Sequence, residues 1–171
     1  GDPTASLAQA RTDGVGLAPT PGRFNMTITG QCRCGACRYE IATGALPPVY
    51  ACHCHICQRA TGSAFSIQAL VALDSLTVTG PVVTREIRTE DRLSVQRFCG
   101  ECYARIFNTN TARPGLAVVR GGTIDRSEEL TCRAHIFTNY KQAWVALPDD
   151  VPQWPEAPEP AAFITALMAK C

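Results

Sequence analysis

The sequence predicts a mainly β domain with zinc-ribbon-type knuckles and few short helices, and three observations predict it. Short runs rich in Val, Ile, Thr, Tyr and Phe recur between Gly and Pro turn signals. Helical patterning is confined to two brief stretches. Seven of the ten cysteines fall into three tight clusters, Cys32-Arg33-Cys34, Cys52-His53-Cys54-His55-Ile56-Cys57 and Cys99-Gly100-Glu101-Cys102. That is the spacing of metal ligands, because thiolates must converge on zinc at about 2.3 Å and so arrive as short-spaced pairs on separate turns.

Residues 1–25 are rich in Gly, Pro, Ala and Thr without sustained periodicity and read as an N-terminal extension, so the domain proper opens at about Met26. Residues 27–30 form a strand-like run, and 38–41 a strand leading to Gly44 and the Pro47-Pro48 turn. Residues 49–51 then run into the second cluster. Residues 64–73 are a long apolar stretch, with 76–78 following the Asp74-Ser75 turn. Gly80-Pro81 turns into residues 82–88, and 93–98 deliver the third cluster. Residues 105–108, 117–120 and 135–137 complete about eight strands. Arginines from Arg85 to Arg97 alternate with Glu86, Glu90 and Asp91, the pattern of a solvated strand pair and turn. Helix is predicted at residues 57–61 and, after the Pro-rich break at 152–160, at 161–169. The zinc domain therefore spans residues 26–155, with residues 156–171 as a short helix packing on it.

Composition favours metal over disulfide. A chain of 171 residues buries a core without covalent staples. No basic n-region precedes an apolar run, and no stretch approaches the roughly 18 apolar residues of a membrane span, so the expectation is a cytoplasmic protein with no membrane partner. Cysteines kept reduced there are ligands, catalysts or small buried hydrophobes. Fourteen Arg and two Lys against fifteen acids leave a net charge of +1, so no basic face marks a nucleic-acid partner.

In an extended strand residues i and i+2 face one side, so Cys32 and Cys34 point at a common metal. Cys99-Gly100-Glu101-Cys102 reads as a knuckle in which Gly100 supplies left-handed backbone and turns amides toward the sulfurs. Together they make a closed four-thiolate, structural site. Cys34-Gly35-Ala36-Cys37 is a knuckle too, and spacing alone leaves Cys32 and Cys37 as competing ligands. The middle cluster, Cys52, Cys54 and Cys57, has no evident fourth protein ligand, and three ligands plus an open position is the pattern of a catalytic metal. Three thiolates leave zinc with a formal charge of about −1, which suits it less to activating water than to holding a thiol as a nucleophilic thiolate. His53 and His55 are further candidates for that coordination, a solvent-facing ring being the plainer reading. No Glu stands where a nucleobase deaminase needs one beside Cys52 or Cys54, and no HExxH occurs.

Gly30-Gln31-Cys32-Arg33-Cys34-Gly35, the run from Cys52 to Phe65, and Phe98-Cys99-Gly100-Glu101-Cys102 resemble the glutathione-dependent formaldehyde-activating enzyme family, also called the centromere protein V/GFA domain. Gly121-Gly122-Thr123-Ile124-Asp125, His135-Ile136-Phe137, Lys141 and Trp144 match its C-terminal half. The resemblance covers about residues 26–155. It implies an Mss4-like β-tent with two zinc ions per chain, a structural one on Cys32, Cys34, Cys99 and Cys102 and a catalytic one on Cys52, Cys54 and Cys57. Family members usually lack a cysteine matching Cys37, which favours Cys32. Tyr103 departs from the Gly that is common after the second knuckle cysteine; a bulky residue there narrows a neighbouring pocket or caps the knuckle. The implied reaction joins glutathione thiolate and formaldehyde as S-hydroxymethylglutathione, or reverses that step.

Arg59, Thr61 and Ser63 follow the catalytic cluster and are candidates to bind the thiol cosubstrate, a chain turn being their plain alternative. His135 is a candidate general acid or base, and a satisfied core histidine is the plainer role. Trp144 and Trp154 read as packing residues, and Cys37, Cys132 and Cys171 as free thiols. The function expected is a zinc-dependent carbon–sulfur lyase-type enzyme acting on thiol adducts of a small aldehyde, its partner a small-molecule thiol or adduct. Two other readings are a lyase, dehydratase or isomerase on a larger specialised metabolite, and a non-catalytic zinc-binding chaperone or interaction module. An oligomer is compatible with all three.

Overall fold

Among the described residues eleven short strands, each too short to stand alone, are combined into two sheets. The computed structural model describes residues 26–90 and 92–169. The extension read at residues 1–25, Asp91 of the charged hairpin and the thiol of Cys171 lie outside the described residues. In chain order the elements are β1 (Met26–Gln31), β2 (Arg38–Thr43), β3 (Val49–Cys52), α1 (His55–Thr61), β4 (Ser66–Ala72), β5 (Leu76–Thr79) and β6 (Val82–Arg88). They continue with β7 (Leu93–Cys99), β8 (Arg105–Asn110), β9 (Leu116–Arg120), β10 (Cys132–Ile136), β11 (Gln153–Trp154) and α2 (Pro160–Met168). The mainly β expectation holds, with eleven strands among the described residues rather than about eight. A piece as short as β11 becomes strand by pairing with β10 and not by any alternation of its own.

The small sheet is antiparallel in the order β1-β2-β5. The large sheet runs β11-β10-β3-β4-β9-β8-β7-β6, antiparallel except that β10 is parallel to both β3 and β11. Cross-strand partners share a face, so one face of the large sheet is apolar: Val49 lies opposite Ala69, Ala69 opposite Val119, and Val71 opposite Ala117. With Ile28, Tyr39 and Ile41 of the small sheet these residues form the principal core. At the far edge every residue of β6 is exposed, whereas its neighbour β7 is half-buried against β8, so only one strand of the pair expected to be solvated is fully so.

The other face carries Tyr50 and Cys52 of β3 beside Ala134 and Ile136 of β10, and α2 covers it with Phe163 and Leu167. Pro160 occupies the first turn of α2, where no amide partner is needed, and the Glu159 carboxylate accepts from the Ala162 amide at 3.0 Å. Phe163 meets Tyr50 edge-on at 4.9 Å between centroids and Trp154 at 6.3 Å. Trp154 is thus a packing residue. Trp144 is not: it is 75% exposed, its indole N–H donating to Gln142 Oε1 at 3.0 Å, because the loop carrying it runs over the surface beyond the sheet. No helix among the described residues is long and apolar enough to cross a membrane.

Phe163 is 2% exposed and fills the space under α2, so Phe163→Ala is expected to cost about 3–5 kcal/mol in urea denaturation. Ile164→Ala, on the same helix but 42% exposed, is expected to cost markedly less in the same measurement.

Candidate metal centres and the adjoining cavity

The turn between β1 and β2 and the turn between β7 and β8 bring four sulfurs together. Sγ of Cys32, Cys34, Cys99 and Cys102 all lie within 4.8 Å of one another, with Cys32 and Cys34 3.5 Å apart and Cys34 and Cys99 3.8 Å apart. Tetrahedral zinc–thiolate bonds of about 2.3 Å separate sulfurs by about 3.8 Å, so the four fit a zinc ion. Cys37 stands outside the group. Its thiol donates to the Pro81 carbonyl at 3.4 Å, while its amide donates to Cys32 Sγ at 3.2 Å. The first knuckle therefore contributes an amide, not a sulfur, at this position.

The second knuckle corrects one expectation. Left-handed backbone is supplied by Tyr103, at φ 57°, and not by Gly100. Gly100 is needed for close approach instead: its amide donates to the Pro81 carbonyl at 2.6 Å, and a Cβ there would lie 2.9 Å from that same oxygen.

The second cluster comes from one segment, where β3 ends and α1 begins. Sγ of Cys52, Cys54 and Cys57 lie within 4.8 Å of one another, Cys52 and Cys54 3.6 Å apart. Cys54 caps α1, its sulfur accepting from the Cys57 amide at 3.4 Å. Cys57 is held below the ordinary thiol value, first by the hydrogen bond from Cys52, which keeps its own proton correspondingly tightly. Three adjacent thiols cannot all ionise without a cation among them, so this donor set also suits zinc. Among the described residues no further His, Cys, Asp or Glu joins the group.

His53 and His55 do not join it. His55 is exposed, its ring 5.1 Å from that of Tyr140. His53 is fully buried and shares a 3.0 Å hydrogen bond between its Nε2 and His135 Nδ1; burial first, then His135, lowers its pKa to about 4. His135 lies opposite Ala51 in the register of β10 and β3, and Ala51 faces away from Cys52. The strand pleat therefore puts His135 on the other side of the sheet from Cys52, in the place of a satisfied core histidine. Arg59 is exposed in the last turn of α1. Thr61 Oγ1 donates back to the Cys57 carbonyl at 2.9 Å, and Gly62, at φ 62°, ends the helix.

Thr61 and Ser63 line a cavity of about 590 Å³, together with Phe65, Tyr103, Arg105 and Arg120. It shares a wall with the second cluster: Ser66, another lining residue, is the cross-strand partner of Cys52. Sequence reading missed four residues here. Tyr50, Gln68 and Arg120 are successive cross-strand partners on the Cys52 face, and Arg105 opens β8 beside the end of β9. Burial pushes the Tyr50 phenol up to about 12, and it donates to Gln68 Oε1 at 3.0 Å; Gln68 Nε2 in turn donates to Cys57 Sγ at 3.4 Å. Arg120 Nη1 donates to Ser66 Oγ. A buried Gln and a buried Arg in strands otherwise filled by apolar residues were the available signal.

A sequence model of the glutathione-dependent formaldehyde-activating enzyme family matches residues 27–140, more than half of the chain. The chain belongs to this family. A Halomonas elongata protein provisionally given the same name is 28% identical over 131 residues, covering 71% of this chain and 82% of that one. A crystal structure of a Rhodobacter sphaeroides protein aligns at 19% identity and a TM-score of 0.45, covering 74% of this GFA-family chain and 98% of the other.

Tyr103 of this GFA-family chain both adopts a left-handed conformation and lines the cavity. A non-glycine residue pays about 1–2 kcal/mol for that conformation. Tyr103→Gly, 73% exposed and so giving up little packing, is expected to raise stability by about 1 kcal/mol in chemical denaturation. Tyr103→Ala keeps the strain and is expected to show no gain.

Proposed function

We propose that this chain is a zinc-dependent enzyme of the carbon–sulfur lyase type, acting on the adduct of a glutathione-like thiol with a small aldehyde. The observation that carries the reading is a three-sulfur cluster, Cys52, Cys54 and Cys57, with no fourth ligand among the described residues and a cavity beside it. The family's description and the name given to the Halomonas elongata relative point to glutathione and formaldehyde as the pair. In one direction the thiol sulfur bonds to the carbonyl carbon and the thiol proton ends on the carbonyl oxygen; in the other that proton returns and the carbon–sulfur bond breaks. Zinc held by the cluster supplies a Lewis acid that keeps a thiol ionised near neutral pH.

The chain's own residues prepare the place. Gln68 spreads the charge of Cys57 by donating to its sulfur, and Tyr50, protonated because buried, fixes which end of the Gln68 amide does so. Thr61 and Ser63 present their hydroxyls from the cavity wall, Arg59 stands at the end of α1, and His135 supports the strand from beneath through His53. The closed cluster of Cys32, Cys34, Cys99 and Cys102 holds a second, structural zinc, and the zinc domain of this reading spans residues 26–155. A chemistry that needs reduced thiols fits a reducing compartment, and we propose the cytosol.

Metal content separates the two clusters. Wild type is expected to hold two zinc ions per chain; Cys54→Ser loses one and stays folded by circular dichroism, whereas Cys34→Ser loses the other and unfolds. Glutathione is expected to change metal–sulfur coordination in wild type and not in Cys54→Ser, read by X-ray absorption. A single zinc, or two that ignore the thiol, removes the lyase reading and leaves a zinc-holding scaffold.

A further inference from the structure

The cavity holds two arginines and no carboxylate. The side chain of Arg120, a residue 9% exposed, makes one hydrogen bond among the described residues, to Ser66 Oγ. The Arg105 side chain makes none, and its Nε is buried without a partner. Neither forms an ion pair; among the described residues the ion pairs are Arg88 with Glu86 and Arg126 with Glu129, both on the exposed surface. Burying guanidinium charge without an anion is costly, and two such side chains lining one cavity call for an anion that they would meet there.

The cysteines do not supply enough negative charge to balance it. Three thiolates around a divalent cation carry one net negative charge, and two guanidiniums carry two positive ones, which leaves one positive charge for a ligand to neutralise. Burial first, then the charge of Arg120, pushes Arg105 down to about 10, as two cations sharing one poorly solvated space require. The cross-strand register sets where that ligand would sit. Ser66, bonded to Arg120, is the partner of Cys52, and Gln68, the partner of Arg120, is bonded to Cys57 Sγ. One cross-strand neighbour therefore separates the arginine from the sulfur cluster, a few ångströms in a sheet. A cavity of about 590 Å³ is of small-molecule size.

We infer that Arg105 and Arg120 form a carboxylate-binding site that anchors the anionic end of the substrate beside Cys52, Cys54 and Cys57. The planar guanidinium fork matches a carboxylate bidentately. That the anchored molecule is the thiol rests on the proposed function; that the arginines hold a carboxylate does not. Uncharged thiols would reach the sulfur cluster without this anchor, so the site selects acidic thiols such as a glutathione-like peptide over neutral ones.

Calorimetric binding to zinc-loaded protein tests this with glutathione, glutathione diethyl ester and S-methylglutathione. Wild type is expected to bind glutathione at least about tenfold more tightly than its diester. Arg105→Gln and Arg120→Gln are expected to weaken glutathione about tenfold or more and leave the diester unchanged, with Arg105→Lys intermediate. Equal binding of glutathione and diester to wild type, or equal weakening of both in the variants, overturns the site. Arg105→Gln carries the test if Arg120→Gln fails to fold, since Arg105 gives up no hydrogen bond among the described residues. Arginine-dependent binding shared by glutathione and S-methylglutathione, with no response of the metal to either, upholds the carboxylate site while removing the thiol reading. Displacement of S-methylglutathione by inorganic phosphate at lower concentration than by succinate overturns the carboxylate in favour of a phosphate.

Discussion

The pleat of β3 is the constraint on which the site depends. Alternation sends Tyr50 and Cys52 to the face under α2, and Ala51 and then His53 to the face opposite. Pairing with β4 and β9 sets Gln68, Ser66 and Arg120 beside the first pair, while pairing with β10 sets His135 beside the second. A slip of β3 by one residue would turn Cys52 to the side of His135 and away from Ser66, Gln68 and Arg120. The buried bond between His53 and His135 is one restraint on that register, and the apolar partners Val49, Ala69 and Val119 are another.

The two sulfur clusters use the same side chain in opposite settings. Cys32 and Cys34 meet Cys99 and Cys102 across 65 residues of sequence between Cys34 and Cys99, and each pair sits on a hairpin turn of a different sheet. Closing so long a loop is entropically costly, and whatever holds those four sulfurs also holds the sheets together. Cys52, Cys54 and Cys57 lie within six residues on a strand end and a helix cap. Their convergence is local and ties no distant elements.

A row of buried polar groups lies on the Cys52 face of the large sheet. A phenol, an amide, a hydroxyl and a guanidinium follow one another across β3, β4 and β9, each bonded to the next or to a sulfur, where α2 and the end of α1 shelter them. Such a row in a sheet otherwise built of Val, Ile, Ala and Phe is expensive unless satisfied, and it is satisfied only in part. The Nε of Arg105 and the Nδ1 of His53 remain buried without partners, one at the cavity and one beneath the sheet.

Much was legible in the chain itself because it is local. Strand runs ended by Gly and Pro, the two short helices and the three cysteine clusters are all set within a few residues of one another, and the family follows from the motifs those clusters form. Spacing could not choose between Cys32 and Cys37, since both lie within reach of the same turn; the folded hairpin chose, by aiming the Cys37 thiol at Pro81 and its amide at Cys32. It also could not show that His135 lies across the sheet from Cys52, that Tyr103 rather than Gly100 is left-handed, or that Trp144 stands in solvent. Nor could it gather Tyr50, Gln68, Arg105 and Arg120, which come from four strands and share no motif. Sequence alone determined the cysteine clusters and most of the elements, because backbone propensity and short-range spacing are properties of neighbours. Only tertiary structure decided which residues face the sulfurs, because that depends on strand register, and register is set by pairing between segments far apart in the chain.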